Sequence, residues 1–194
     1  MVTTPAASTN LSTLSLDDWM HNPPQGKEWV DGHLIDKHPA IWVEGAIERN
    51  GMTLRHSRTQ ATLATCWKNY NAQNSLGGEI YTEAPCRTQK KGRYPDVAYL
   101  TPDLLTQSGQ EDVLPQSFPL CAEVVSPTDF AQDVIAKAQE YLQSSGEEVW
   151  LLFPENYWVI VVTQDAQKIF VEGEVVSTQK ILIGFSIVVN ELFA

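Results

Sequence analysis

The pattern of hydrophobic and polar positions along the chain predicts a mixed α/β protein. Leu63 and Trp67, with Ala64 beside them, recur at helical steps and predict a helix from about residue 55 to 71. Two apolar runs, at 120–125 and 149–153, are too continuous for a sheet face that is open to water. We therefore expect two buried strands there, in a sheet that the helix covers.

Turn-forming and capping residues indicate where the other elements begin and end. Ser15 is a typical N-cap for a short helix. Asp31-Gly32, between two short alternating runs, predicts a two-residue β-hairpin. Residues 126–129, Ser-Pro-Thr-Asp, predict the start of a helix that ends near Gln143. Further strands are expected at 79–84, 94–100, 157–163 and 168–172, with a final strand or short helical cap at 181–193.

The length of 194 residues fits one domain, which we expect to span residues 15–194 after a disordered tail at 1–14. No apolar run approaches the roughly 20 residues needed to cross a bilayer, and the N-terminus lacks the pattern of a signal peptide. The three cysteines are widely spaced and form no CxxC pair, which argues for a reducing compartment. We therefore expect a cytoplasmic protein without membrane contact. The cysteines are Cys66, Cys86 and Cys121.

The net charge of −11 argues against a nucleic-acid binder, which usually carries a basic surface. A local basic face and bound cations can offset an acidic total. One stretch of the chain offers such a face and leads directly into the expected strand at 94–100, where it is well placed to grip a nucleic-acid backbone. A solvated hairpin tip is the alternative interpretation. Its basic residues are Arg87, Lys90, Lys91 and Arg93.

Two acidic residues have neighbours that are apolar. Glu123 interrupts the buried-type run at 120–125, and Asp96 comes just before the apolar run at 97–100. A lone carboxylate there has a heavy desolvation cost unless it is paired, protonated or bound to a metal ion. If the two strands are neighbours, the carboxylates converge on a hard cation that prefers oxygen ligands. A strand-edge acid and a buried, hydrogen-bonded acid remain the alternatives.

The helix that follows Glu123 supplies a positive group. Asp133, Lys137 and Tyr141 are spaced by four residues and therefore share one helical face. Lys137 lies at the edge of the apolar stripe, where its long stem can reach a site while the ammonium stays solvated. A surface lysine paired with Asp133, and a tyrosine that belongs to the core, are the alternatives.

The sequence resembles a known nuclease family through these residues. Pro95-Asp96 followed by Glu123-x-Val125 resembles the paired motif of the PD-(D/E)XK nuclease superfamily. The string from Glu123 to Asp129, continued by Asp133, Lys137 and Tyr141, resembles the Uma-type restriction endonuclease family. The resemblance covers about residues 15 to 194. It also includes residues 28–32 (EWVDG), 55–58 (RHSR), 81–85 (YTEAP) and 148–151 (EVWL).

The resemblance implies a restriction-endonuclease-like core, with a central mixed β-sheet flanked by helices and extra N- and C-terminal hairpins. It implies a divalent-metal-dependent endonuclease that hydrolyses the phosphodiester bonds of DNA, with Mg²⁺ or Mn²⁺ as cofactor. The implied metal ligands are Asp96, Glu123 and the backbone carbonyl of Val124. The implied catalytic residues are Asp96, Glu123 and Lys137, and the accessory candidates are His56, Asp133 and Tyr141.

One position departs from the superfamily pattern. The catalytic lysine usually lies two residues after the second acid, where this chain has Val125. In Uma-type sequences that role is assigned to a lysine on the following helix, which matches Lys137. Two other classes stay open: a catalytically inactive nucleic-acid-binding module, which Val125 favours, and a protein-interaction module, which the acidic charge favours. A homodimer is compatible with each of them.

Overall fold

The computed structural model describes residues 14–38, 40–43, 46–49, 53–127 and 129–194, and these form a mixed α/β fold. The helices are α1 (Leu16–His21), α2 (Leu54–Gln73), α3 (Pro102–Ser108), α4 (Ala131–Leu142) and α5 (Val189–Phe193). The strands are β1 (Lys27–Val30), β2 (His33–Asp36), β3 (Ala40–Val43), β4 (Ala46–Arg49), β5 (Glu79–Thr82), β6 (Cys86–Arg87), β7 (Lys91–Arg93), β8 (Val97–Leu100), β9 (Leu120–Val124), β10 (Glu148–Phe153), β11 (Trp158–Thr163), β12 (Gln167–Phe170), β13 (Val175–Ser177) and β14 (Ser186–Val188).

The central sheet has six strands in the order β12-β11-β10-β9-β8-β5. β9 and β10 are parallel, with Cys121 paired with Val149, and the other neighbours are antiparallel. Parallel neighbours need a crossover connection, and α4 supplies it because it lies between β9 and β10 in the chain. The mixed central sheet of the restriction-endonuclease-like fold is therefore confirmed.

The two faces of this sheet pack against different helices. Val97 of β8 belongs to the same apolar cluster as Leu63 and Trp67 of α2. The next residue, Ala98, packs in a second cluster with Ala138 of α4. Successive strand residues point to opposite faces, so α2 lies on one side of the sheet and α4 on the other.

A smaller, four-stranded sheet in the order β2-β1-β7-β6 carries the N-terminal hairpin. Asp31 and Gly32 have φ of 49° and 89°, the left-handed pair that a two-residue type I′ turn requires. Trp19 of α1 is fully buried with its ring edge-on to Tyr94. A Cβ atom on Gly92 would lie 2.5 Å from the Trp19 ring, so only glycine fits in β7 below this helix.

The predicted helices and strands are largely confirmed, with local differences. The basic stretch from Arg87 to Arg93 overlaps two short strands, β6 and β7, because β7 pairs with β6 and, through Trp29 and Gly92, with β1. α4 begins at Ala131 with Phe130 as N-cap, later than the Ser-Pro-Thr-Asp stretch at 126–129. The C-terminal segment contains both a strand and a helix, β14 and α5.

The hydrophobic pattern predicts neither α3 nor the β3–β4 hairpin. α3 starts at Pro102, which is pre-organised for the first helical turn after the N-cap Thr101. The predicted tail lies outside the described residues except for Leu14, whose carbonyl accepts a hydrogen bond from Trp29 Nε1 at 2.6 Å. None of the helices in the described ranges is both long and apolar enough to span a membrane.

Candidate nuclease active site

Asp96 and Glu123 lie at the same end of the neighbouring strands β8 and β9. Val97, which follows Asp96, pairs with Ala122, which precedes Glu123. The Asp96 carboxylate also reaches β9 directly, because its Oδ2 accepts a hydrogen bond from the backbone N–H of Val124. Both acids are buried and both line a cavity of about 510 Å³. The two acids singled out in the sequence therefore share one site.

The Asp96 carboxylate has three close partners. Its Oδ1 accepts a hydrogen bond from Lys37 Nζ at 2.6 Å, and its Oδ2 accepts one from the backbone N–H of Val124 at 2.6 Å. His56 Nε2 lies 3.2 Å from Oδ2. Burial by itself would raise the pKa of Asp96, but the charge of Lys37 and the hydrogen bond from His56 hold it far below its usual range. Asp96 is therefore ionised.

Glu83 extends the acidic group next to Asp96. Lys37 Nζ also donates to Glu83 Oε2 at 2.7 Å. Gln60 of α2 links the same two acids, since its Nε2 donates to Glu83 Oε1 at 3.1 Å and to the backbone carbonyl of Asp96 at 2.8 Å. Burial raises the pKa of Glu83, against the attraction of Lys37. The Lys37 ammonium is thus enclosed by two carboxylates.

Glu123 is held by two residues of α4. Lys137 Nζ donates to Glu123 Oε2 at 3.1 Å, and the Tyr141 hydroxyl donates to Oε1 at 2.7 Å. The four-residue spacing of these partners places both on the helical face that covers the sheet. Burial raises the pKa of Glu123, and the charge of Lys137 offsets this only in part.

Lys137 connects Glu123 to the N-terminal hairpin. Its Nζ lies 2.9 Å from Glu28 Oε1 of β1. Burial would lower the pKa of Lys137, but Glu123 and Glu28 outweigh it and keep this pKa well above the ordinary value. Lys137 therefore remains an ammonium ion at neutral pH. It can donate hydrogen bonds and positive charge, but it cannot serve as a general base.

Arg93 is part of the framework around Lys137. It donates to Glu28 Oε2 at 2.6 Å and forms a two-pronged pair with Glu140 of α4 at 3.0 and 2.9 Å. Lys91 also contacts Glu140 at 3.2 Å. Arg93 is buried, so its guanidinium is directed at these carboxylates and away from solvent. Its predicted contact with substrate stays a prediction.

The remaining candidates from the sequence lie further out. Arg87 pairs with Asp17 at 2.7 Å on the surface, and Lys90 is exposed at the turn between β6 and β7. Asp133 is exposed in the first turn of α4 and lines the mouth of the cavity. The site therefore brings together Asp96, Glu123, Val124, Lys137, Tyr141 and His56, with Lys91, Arg93 and Asp133 also along the cavity wall.

Three residues of the site have no signal in the sequence pattern: Lys37, His38 and Gln60. Lys37 and His38 follow the exposed strand β2, and their position gives no hint that the chain turns back towards Asp96. The His38 ring lies edge-on to His56, with ring centroids 5.4 Å apart. Gln60 is buried in α2. Its amide can be recognised as buried only when it is known which face of the helix packs against the sheet. Glu28 and Glu83 occur in the resemblance but had no assigned role.

Comparison with known proteins gives the family. The family model Uma2, described as "Putative restriction endonuclease", matches residues 22–190. The chain belongs to this family. Among solved structures, it is similar to a "putative nuclease belonging to DUF820" from Anabaena variabilis ATCC 29413, with a TM-score of 0.75 and 16% sequence identity. That similarity covers 92% of this chain and 96% of that chain, and it shows the fold alone. The comparison with curated proteins found no match.

The residues of this Uma2-family site fit a divalent cation by the chemistry of their donors. Carboxylate oxygens from Asp96 and Glu123 face one cavity, and oxygen ligands are those that Mg²⁺ and Mn²⁺ prefer. Ligand atoms of His38, Glu83 and Asp96 lie within 4.8 Å of one another. Val125 packs in the α4-side apolar cluster, so the residue at the usual lysine position belongs to the core.

Proposed function

We propose that the protein is a divalent-metal-dependent endonuclease that hydrolyses phosphodiester bonds of DNA. The observation that supports this proposal is the convergence of Asp96, Glu123 and Lys137 on one buried, cavity-lining site. Two carboxylates and an ammonium ion are the groups that metal-assisted phosphodiester hydrolysis needs. Membership of the Uma2 family is consistent with this chemistry.

Asp96, Glu123 and the Val124 carbonyl would hold Mg²⁺ or Mn²⁺. When bound, such an ion supplies Lewis-acid stabilisation of the phosphate and a water molecule activated for attack. The chain itself orients the ligands: Asp96 is fixed by the Val124 N–H and His56, and Glu123 is fixed by Tyr141. These hydrogen bonds limit the motion of both carboxylates.

Lys137 has a separate role in this proposal. Because it stays protonated, it neutralises charge that develops on the phosphate oxygens and donates a hydrogen bond to the attacking water. Glu28 holds Lys137 from β1, and Arg93 in turn holds Glu28. The exposed basic residues of the β6–β7 hairpin, Arg87 and Lys90, would contact the nucleic-acid backbone outside the cavity.

Metal binding is the first test, because an unknown substrate sequence makes a negative cleavage assay uninformative. Crystals soaked in Mn²⁺ should give an anomalous peak between Asp96 and Glu123. The peak should be absent in Asp96→Asn. Asp165→Asn is the matched control, since Asp165 is an exposed acid paired with Lys180 away from the cavity. It should keep the peak.

Cleavage is the second test. Wild-type protein with Mn²⁺ should cut plasmid DNA or single-stranded DNA in preference to RNA. Asp96→Asn and Glu123→Gln should each abolish the cut. A Mn²⁺ peak elsewhere in the molecule, or none at millimolar Mn²⁺, would contradict the proposal.

An inactive nucleic-acid-binding or protein-interaction module on the same fold is the second candidate. The observation that favours it is that each carboxylate of the pair already has a cationic partner, Lys37 for Asp96 and Lys137 for Glu123. Salt-dependent retention of DNA without cleavage would support the binding module. A dimer mass by light scattering without DNA retention would support the interaction module.

A further inference from the structure

The Lys37 ammonium occupies a position that suits a metal cation. It lies 2.6 Å from Asp96 Oδ1 and 2.7 Å from Glu83 Oε2, and its side chain is only 4% exposed. A lysine ammonium is a compact point charge, and carboxylate oxygens are the ligands that a hard cation also takes. His38, the next residue, adds a nitrogen to the same group of ligand atoms.

The charges of the Lys and Arg ion-pair network at the site are nearly balanced without a metal ion. Five carboxylates of this network face four Lys and Arg side chains, so its acidic excess is a single charge, with His56 not counted. A divalent ion brings two positive charges into a space where the Lys37 charge is already fixed. The acids are Glu28, Glu83, Asp96, Glu123 and Glu140, and the bases are Lys37, Lys91, Arg93 and Lys137.

The main chain and the side chain of Lys37 are held by different contacts. Lys37 directly follows β2, the edge strand of the small sheet, all four residues of which are exposed. Its backbone N–H is fixed to the Gly26 carbonyl at 2.9 Å, so the flexible four-carbon stem can swing while the hairpin stays in place. The ammonium can therefore leave Asp96 without unfolding the hairpin.

We propose that Lys37 and the divalent cation compete for the Asp96 carboxylate, so that Lys37 determines the metal affinity of the site. This inference rests on the proposed metal site. In the metal-free protein the ammonium neutralises both Asp96 and Glu83. When a cation binds, the ammonium moves off Asp96 and stays in the cavity, where a phosphate oxyanion of the substrate is its next partner.

The test is the Mn²⁺ affinity of the full chain without nucleic acid, measured by isothermal titration calorimetry and by the electron paramagnetic resonance signal of free Mn²⁺. Lys37→Met keeps most of the length of the side chain and removes its charge. We expect it to bind Mn²⁺ at least about tenfold more tightly than wild type. Lys37→Gln, which retains a hydrogen-bond donor, should tighten binding in the same direction and covers the case in which the methionine variant fails to fold.

Two further variants isolate the cause. Lys180→Met makes the same change in net charge at an exposed pair with Asp165 and should leave Mn²⁺ affinity unchanged. Lys37→Met combined with Asp96→Asn should lose the gain. If wild type and both Lys37 variants bind Mn²⁺ equally tightly, and this binding still depends on Asp96, the competition is overturned and the proposed nuclease site stays intact. No Mn²⁺ binding in any of these proteins would overturn both proposals.

Discussion

At the scale of single residues, the main feature of the site is an ammonium ion between two buried carboxylates. Lys137 contacts Glu123 at 3.1 Å and Glu28 at 2.9 Å. Two opposite charges at hydrogen-bond distance favour its protonated form more strongly than burial disfavours it. Lys137 therefore keeps its positive charge, and contacts with β1 and β9 fix the position of that charge.

Replacement of Lys137 separates charge stabilisation from metal binding. Lys137→Met should lower the cleavage rate by about 10²–10³-fold, because one preorganised donor to the transition state is lost. Mn²⁺ affinity should not fall, since Lys137 is a neighbour of the ligand Glu123 and a competitor for its oxygen. A cleavage assay measures the rate, and calorimetry measures the Mn²⁺ affinity. Lys168→Met, at an exposed position in β12, is the matched control, and an unchanged cleavage rate in Lys137→Met would contradict the assigned role.

Glu28 gives a prediction about pH and stability. Burial opposes its charged form, but Lys137 and Arg93 lower its pKa from 4.5 to about 2. Its ionisation therefore contributes free energy of folding that is fully present above pH 4.5 and is lost as the pH falls towards 2, on the order of 3 kcal/mol. Urea unfolding between pH 6 and pH 3 should show a steeper loss for wild type than for Glu28→Gln. Equal slopes would show that Glu28 is not paired as described.

The acids of the candidate site and Lys137 are easier to find in the sequence than Lys37, the basic partner of Asp96. Asp96 and Glu123 were identifiable because a carboxylate in an apolar run needs a partner, and Lys137 because helical periodicity put it on the buried face. Lys37 has no such signal, since its partner Asp96 is 59 positions away and its own strand is exposed. Contacts of this kind depend on tertiary packing, which local pattern does not encode.

At the scale of elements, Arg93 fastens the small sheet to α4. It joins Glu28 of β1 to Glu140 of α4 while itself lying in β7. Lys91 of the same strand and Thr88 of the preceding turn also reach Glu140. The position of α4, and with it that of Lys137, depends on this network.

Removal of Arg93 should destabilise the protein strongly. Arg93→Met leaves two carboxylates partly uncompensated in a buried place, and we expect a loss of about 3–5 kcal/mol in the free energy of unfolding. Arg55→Met breaks the exposed pair with Glu155 and should cost about 1 kcal/mol or less. Urea denaturation measures both. Comparable losses in the two variants would mean that the buried network does not connect the elements.

The elements predicted correctly are those whose burial produces a recognisable hydrophobic pattern. Those that were missed are formed by strand pairing or lie on the surface. α2, β9 and β10 show the helical stripe or the continuous apolar run of buried elements. β7 has a lysine, a glycine and an arginine, so nothing in its pattern indicates a strand, and it is one because β1 pairs with it and Trp19 covers Gly92. α3 is a surface helix without fully buried residues, which removes the periodic signal.

At the scale of the whole molecule, the net charge of −11 limits how nucleic acid can bind. Each phosphate neutralised by a basic side chain contributes about −0.9 to the slope of log K against log salt concentration. The basic side chains nearest the surface of the β6–β7 hairpin are few: Arg87, Lys90 and Lys91. If the proposed function holds, divalent ions would have to reduce the repulsion between this acidic chain and a nucleic-acid substrate.

Salt titration tests this directly. With Ca²⁺ present to support binding, the slope for a DNA duplex should be shallow, about −2 to −3. Lys90→Ala should weaken binding uniformly across sequences and reduce the slope by about 1, whereas Lys180→Ala should change neither. Fluorescence anisotropy at several salt concentrations gives these slopes. A steep slope that Lys90→Ala does not alter would locate the DNA contact on another surface.

The N-terminal hairpin has a consequence for where this protein can be cut. Glu28 and Lys37 belong to the first strands, yet their partners Arg93 and Asp96 lie 65 and 59 positions further along. A fragment that starts at α2 would retain Asp96, Glu123 and Lys137 but lose Glu28 and Lys37. Its acids would face each other without Lys37, and Lys137 would have one carboxylate where it now has two. The stretch of chain that fixes the positions of these side chains is therefore longer than the stretch that contains the motif.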